Sequence, residues 1–207
     1  MGDDISGWDV LDAAHEALRK AVSGIPAGGW DLPTPCSEWS VTKVFKHAVG
    51  DQLGFAATLT GEGGPAFNPF DPPAEPGADP SAELEDALTR AARAWAAVDR
   101  DAAEVPTPVP PNRMSPWMGS TACALDAAVH AWDLAVATGQ PSPLTPELAG
   151  PLLEVARQIV DPLRPWGAYA EALPDVPSGD PTGDPTGDTA AALLRYLGRD
   201  PHWTPAA

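Results

Sequence analysis

Positive charge is scarce in this chain of 207 residues: 12 Lys and Arg stand against 29 Asp and Glu, for a formal net charge of −17. Binding to a polyanion draws on dense basic side chains and on counterion release, so this balance argues against a nucleic-acid partner. Long apolar runs are missing too. No stretch approaches the ~18 consecutive apolar residues of a membrane span, and Met1, Gly2, Asp3 and Asp4 open the chain with acidic groups where a secretory leader carries basic ones. These absences predict a cytoplasmic protein with no membrane partner. Cys36 and Cys123 are the only cysteines, too few for a disulfide framework and suited to a reducing compartment. Signals for β-structure are equally thin, with two Tyr, few Ile and no sustained apolar/polar alternation.

What the chain does have is 43% hydrophobic residues, enough for a real core at a length where roughly 70% of the unfolded surface is buried on folding. Its periodic segments are rich in Ala, Leu, Glu and Arg and predict an all-α fold. A first helix is expected over 8–23, with Leu11, His15, Leu18 and Val22 on one stripe. A second should start after Ser40 as N-cap, with Trp39 as a staple, and end near Gly61. The Pro- and Gly-rich stretch 63–80 reads as a long irregular loop of the kind that lies over binding sites. Ser81 is expected to cap a third helix. A fourth should run over about 117–138 and stop at Gly139, a fifth over 145–163 and a sixth over 188–197. The near-repeat 179–188 reads as a solvated spacer. A single domain is expected, with a core bundle over about 5–140 and a helical extension over about 141–207.

On the fourth helix, 100° per residue places Asp126, His130 and Asp133 within about 60° of one another. The stripe Leu125, Val129, Trp132 and Val136 beside them must face the core, so these polar groups border the bundle interior. An Asp and a His four residues apart can offer two ligands to one ion, and His47 on the second helix borders its own buried side and offers a third. The ordinary alternatives are an i,i+4 ion pair and a core histidine satisfied by neighbours, and spacing does not show that helices two and four meet.

The run Pro33-Thr-Pro-Cys-Ser-Glu-Trp39-Ser-Val, then His47, then Asp126-Ala-Ala-Val-His130-Ala-Trp132-Asp133-Leu-Ala, and finally Leu197-Gly-Arg-Asp-Pro-His-Trp203, resembles the DinB/YfiT-like metal-binding superfamily. Within it the match is to the branch related to mycothiol-dependent maleylpyruvate isomerase. The resemblance covers essentially the whole chain. It implies a four-helix bundle in which His47, Asp126 and His130 hold a divalent metal, usually zinc, with mycothiol as cosubstrate. Two departures stand out: the isomerase carries Glu where this chain has Asp126, and it has a further C-terminal domain where this chain has some 68 residues of helix and loop after Gly139. Isomerisation of maleylpyruvate is therefore not implied, whereas a thiol-using metal site is.

The expected function is zinc-dependent transfer of a low-molecular-weight thiol to a small electrophile, or a thiol-assisted isomerisation. A metal-dependent hydrolase and a non-catalytic metal- or metabolite-binding protein are the alternatives. Asp133 is expected to orient a ligand histidine or to hold a structural N–H or Arg. Cys123, Trp39, Trp132 and Arg113 are pocket candidates, with Trp117 beside them and Arg113 placed to hold a substrate carboxylate. Cys123 could also act as a ligand or as a packing residue. Cys36, with no base beside it in sequence, is a weak nucleophile candidate. His15 is expected in the core and His202 at the periphery. Nothing in the sequence chooses between monomer and homodimer.

Overall fold

The computed structural model describes residues 6–174 and 188–205. Four helices form an all-α bundle: α1 (Asp9–Ser23), α2 (Val41–Thr60), α3 (Pro80–Ala96) and α4 (Pro116–Ala137). α1 packs chiefly along α4, and α2 packs against both α3 and α4. Two further helices follow, α5 (Pro146–Ile159) and α6 (Thr189–Tyr196), with a 3₁₀ turn over Asp161–Trp166 after α5. α5 lies on α4, and α6 lies on α5.

α4 is the axis of this arrangement, and its composition explains why. Between Pro116 and Ala137 nearly every side chain is small or apolar, and almost all are buried. Alanines on several sides let neighbouring helices approach closely, so α4 sits inside the bundle, unlike an amphipathic surface helix. A polar residue on such a helix has nowhere to go but inward. Asp126, His130 and Asp133 are thereby held in the interior, with side-chain exposures of 11%, 9% and 0%.

Four local expectations are corrected. The third helix is capped by Asp79, whose carboxylate accepts from the Ala82 N–H at 3.0 Å; Pro80, which has no N–H to satisfy, takes the first helical position ahead of Ser81. The fifth helix stops at Ile159 because Pro162 and Pro165 cannot donate to a preceding turn, and the chain tightens into the 3₁₀ turn. Ser40 occupies the N-cap position of α2 without a capping bond from its side chain, and its backbone forms a bridge with Pro33. A small antiparallel hairpin pairs β1 (Val105–Pro106) with β2 (Arg113–Met114); two-residue strands are too short for alternation to reveal. Of the near-repeat 179–188, all but Asp188 lies outside the described residues, and Asp188 caps α6 by accepting from the Ala190 and Ala191 N–H groups. No helix among the described residues is long and apolar enough to cross a membrane.

A polar network ties α1, α2 and α4 together in the core. The Gln52 carboxamide oxygen accepts from His15 Nε2 at 2.9 Å and from the Cys123 thiol at 3.2 Å, and its amide nitrogen donates to the Cys123 carbonyl at 3.2 Å. Burial pushes His15 down to about 4 from its ordinary 6.5. Between those values the unfolded chain binds a proton that the folded chain refuses, so stability present above pH 6.5 is lost as pH falls towards 4. The loss attributable to His15 is on the order of 3 kcal/mol, and urea titrations at pH 7 and pH 4.5 should show a smaller difference between the two pH values in His15→Gln than in the parent.

Candidate metal centre

The site is assembled on α4 and α2 and closed by three segments far apart in sequence. From α4, His130 Nε2 lies 3.4 Å from Asp126 Oδ1; from α2, His47 Nε2 lies 3.5 Å from the same oxygen. The donor atoms of His47, Asp126 and His130 all fall within 4.8 Å of one another, so the structure brings together the three residues that the family resemblance implied as ligands. Each imidazole is oriented through its other nitrogen. His47 Nδ1 donates to the Pro69 carbonyl at 2.8 Å, and His130 Nδ1 donates to Asp133 Oδ2 at 2.9 Å. Both rings therefore turn Nε2 towards Asp126.

Asp133 carries much of this order. Its carboxylate, fully buried, accepts from Arg199 Nε at 2.9 Å and Arg199 Nη2 at 2.8 Å as well as from His130. Burial alone would raise its affinity for a proton, but the Arg199 guanidinium and the His130 bond outweigh burial and hold the carboxyl well below the usual carboxylate range. The Cys36 thiol donates to Asp133 Oδ2 at 3.3 Å, and its sulfur accepts from Arg199 Nη2 at 3.3 Å. Burial, and after it the Asp133 charge, push the Cys36 thiol up to about 12, which favours the thiol over the thiolate at neutral pH. Cys36, His130 and Asp133 also bring donor atoms together, but the Arg199 cation already occupies that cluster and leaves a metal ion no electrostatic reason to enter it.

The closing segments follow from their sequences. In the Thr-Pro-Cys turn, Thr34 Oγ1 donates to the Trp39 carbonyl at 2.8 Å and accepts from the Cys36 N–H at 3.1 Å, which fixes both residues. Trp39, half-buried, packs on His47 with ring centres 4.7 Å apart. The loop after α2 can reach the helix because position 50 is glycine: a Cβ there would meet Pro69 Cγ at 3.0 Å and Phe67 Cε2 at 3.1 Å. That close approach brings the Pro69 carbonyl to His47 and sets the Phe70 ring 5.9 Å from it. At the C-terminal end, Gly198 adopts φ +78°, where a Cβ would stand 2.7 Å from that of Ala170. Arg164 donates to the Ala170 and Tyr196 carbonyls. The chain before and after 175–187 is thus sewn together beside Arg199.

Several participants were not singled out in the sequence. Asp51, one turn beyond His47, places Oδ2 at 3.8 Å from His47 Nε2. His47-x-x-x-Asp51 mirrors Asp126-x-x-x-His130 on the facing helix, a signal present but unread. Burial, and then the Asp126 charge, raise Asp51 to about 7. Arg199 stands in the Leu197–Trp203 run without any spacing cue to its role. Tyr169, half-buried, has its hydroxyl shifted up by burial and by the Asp126 charge. Other candidates are placed elsewhere: Cys123 belongs to the Gln52 network, and Trp132 is a core residue 1% exposed. Arg113 pairs on the surface with Glu104 at 3.1 Å, Trp117 is 40% exposed at the start of α4, and His202 is exposed.

Residues 11–135 match the family described as the mycothiol maleylpyruvate isomerase N-terminal domain. The chain belongs to this family. Two curated relatives, each 34% identical over 157 residues, are "Uncharacterized protein MT0763" and "Uncharacterized protein Rv0738" from the CDC 1551 / Oshkosh and H37Rv strains of Mycobacterium tuberculosis; the alignment covers 72% of this chain and 76% of each relative. No solved structure matches. The family segment contains His47, Asp126, His130 and Asp133, while Tyr169 and Arg199 lie beyond it.

Removing Arg199 would leave Asp133 buried and uncompensated, a defect that costs about 3–5 kcal/mol. Arg199→Met should show that loss in urea unfolding followed by circular dichroism, whereas Arg113→Met, at an exposed pair worth less than about 1 kcal/mol, should be near neutral.

Proposed function

We propose that His47, Asp126 and His130 hold one divalent metal, zinc first among candidates, and that the protein uses it with a low-molecular-weight thiol, mycothiol, to transfer the thiol to a small electrophile or to isomerise one by reversible addition. The observation that carries this reading is the pair of separations at Asp126 Oδ1, 3.4 and 3.5 Å to the two Nε2 atoms. They are long for hydrogen bonds, yet ligand atoms held about 2.0–2.1 Å from a tetrahedral zinc stand about 3.3–3.4 Å apart. Asp126 Oδ2 is buried with no hydrogen-bond partner, a polar atom that a cation would satisfy. Charge supports the same fit. Although burial pushes His47 down, Asp51 and Asp126 outweigh it and raise His47 to about 9; a pocket with two carboxylates calls for positive charge, which a proton or a metal ion can supply.

Zinc with three protein ligands supplies a Lewis acid that keeps a thiol or a water deprotonated at neutral pH. The protein's part is orientation. Pro69 and Asp133 hold the two imidazoles by their Nδ1–H groups, and Arg199 holds Asp133. Trp39 and the loop carrying Phe70 limit water at His47. The thiol chemistry is assigned to an external cosubstrate because Cys36 stays protonated and Cys123, shifted further up by burial, faces the Gln52 network. Both cysteines are free, which suits action in a reducing cytoplasm.

Elemental analysis of protein purified without a metal-binding tag should find about one zinc per chain in the parent and little in His47→Ala or His130→Ala, with the melting temperature falling in parallel. Asp126→Asn should lose more metal than Asp133→Asn. A parent chain that neither contains nor takes up metal would overturn the reading.

A further inference from the structure

The loop that orients His47 is itself held to α2 by an ion pair. Lys46, the residue before His47, is 7% exposed, a place that a lysine takes only when its charge is matched. Its Nζ donates to Glu83 Oε1 at 2.7 Å and to Glu83 Oε2 at 2.6 Å, which joins α2 to α3. What covers the lysine is the loop. The Phe67 ring centre lies 5.9 Å from Lys46 Nζ. Further along, the backbone at Gly77 passes so close that a Cβ would stand 3.2 Å from Glu83 Oε2 and 3.4 Å from Lys46 Nζ. The two arms of the loop, one before Pro69 and one after it, therefore meet over the same two charges.

Phe67 links this pair to the imidazole. Its ring approaches Gly50 together with Pro69, and the Pro69 carbonyl accepts from His47 Nδ1 at 2.8 Å. With 100° per residue, Lys46, His47 and Gly50 share an arc of about 100° on α2. One turn of the helix thus carries a candidate ligand and both seats of the loop that orients it. Gly50 gives the loop room to approach, and the cation under Phe67 gives it an attraction that keeps it there. A lysine beside a cation site is otherwise out of place, because its charge opposes a divalent ion. Glu83 matches that charge, and a fixed loop is what the arrangement gains.

We propose that Lys46, paired with Glu83, is a positioning residue for His47: it latches the loop 63–79 onto α2 through Phe67 and Gly77, and the latched loop delivers the Pro69 carbonyl that fixes the imidazole. The inference rests on the metal-site reading for what His47 does, but not for how His47 is held. Its effect is opposite in sign to simple electrostatics. Removing a positive charge from beside a cation site tightens metal binding, whereas removing a latch that aims a ligand loosens it.

The test uses the full chain and two readouts. One is zinc affinity, measured by competition with a chelating dye well below the melting temperature. The other is the His47 Nδ1–H signal of metal-free protein carrying isotope-labelled histidine, assigned by its absence from His47→Gln. Lys46→Met should bind zinc about tenfold more weakly than the parent, the lower end of the loss expected when a ligand's hydrogen-bond partner is removed. Its Nδ1–H should exchange with water too fast to be seen, where that of the parent is protected. Phe67→Ala, which alters no charge, should do the same. Gly54→Ala, on the same helix at a position where a Cβ meets nothing within 4 Å, should change neither readout. A pair that only ties α2 to α3 would lower the melting temperature in Lys46→Met and leave zinc affinity and the Nδ1–H signal of the folded chain unmoved. That result, or tighter zinc binding by Lys46→Met, would overturn the proposal. A parent chain that takes up no zinc would end the metal reading, and the Nδ1–H comparison alone would then decide whether Lys46 fixes His47.

Discussion

A single buried carboxylate organises this molecule's functional region. Asp133, with no exposed surface, accepts hydrogen bonds from an imidazole, a guanidinium and a thiol. Those three donors come from α4, from the chain after α6 and from the Thr-Pro-Cys turn before α2. A carboxylate this deep is tolerated only because its charge is matched and its oxygens are satisfied. The same bonds fix the orientation of His130, so the requirement to stabilise one buried charge and the requirement to aim one ligand are met by the same atoms. Asp126, one turn earlier on the same face, is the complement. One of its oxygens has two imidazoles nearby and the other has no partner.

The bundle was legible because its helices obey period and punctuation. Leu11, His15, Leu18 and Val22 mark the buried stripe of α1, Gly61 ends α2, and Pro116 opens α4 one residue before the expected start. What failed was local competition. Asp79 took the cap from Ser81 because the proline between them fits the first helical turn, and two prolines cut the fifth helix short. The β hairpin left no periodic trace. At the site, Asp126, His130 and Asp133 could be placed on one face from 100° geometry, and the chemistry of their types suggested a ligand set. That α2 meets α4 at His47 is a tertiary fact no spacing contains; only the family resemblance pointed to it. Arg199 was invisible for the same reason, since its partners Asp133 and Cys36 lie 66 and 163 residues away in sequence. Asp51 is different: the i,i+4 relation to His47 was there to be read.

The two ends of the site divide its work by polarity. The inner end, around Asp133 and Arg199, is matched in charge and closed. The outer end, around Asp51, Asp126, Trp39 and Phe70, combines acidic groups with aromatic rings. Such a division leaves the unmatched negative charge, and with it the proposed cation, at the outer end.

The contact between Cys36 and Arg199 spans 163 residues. Loops that long are closed late, because their entropy cost must be met before their contacts form. During synthesis the helices that carry His47, Asp126 and His130 emerge and can pack well before Arg199 exists, leaving Asp133 with its charge unmatched in the interior. The orientation of His130 therefore waits on Arg199, 66 residues after Asp133, and competence at this site doubles as a report that the chain beyond α6 has been made and has packed.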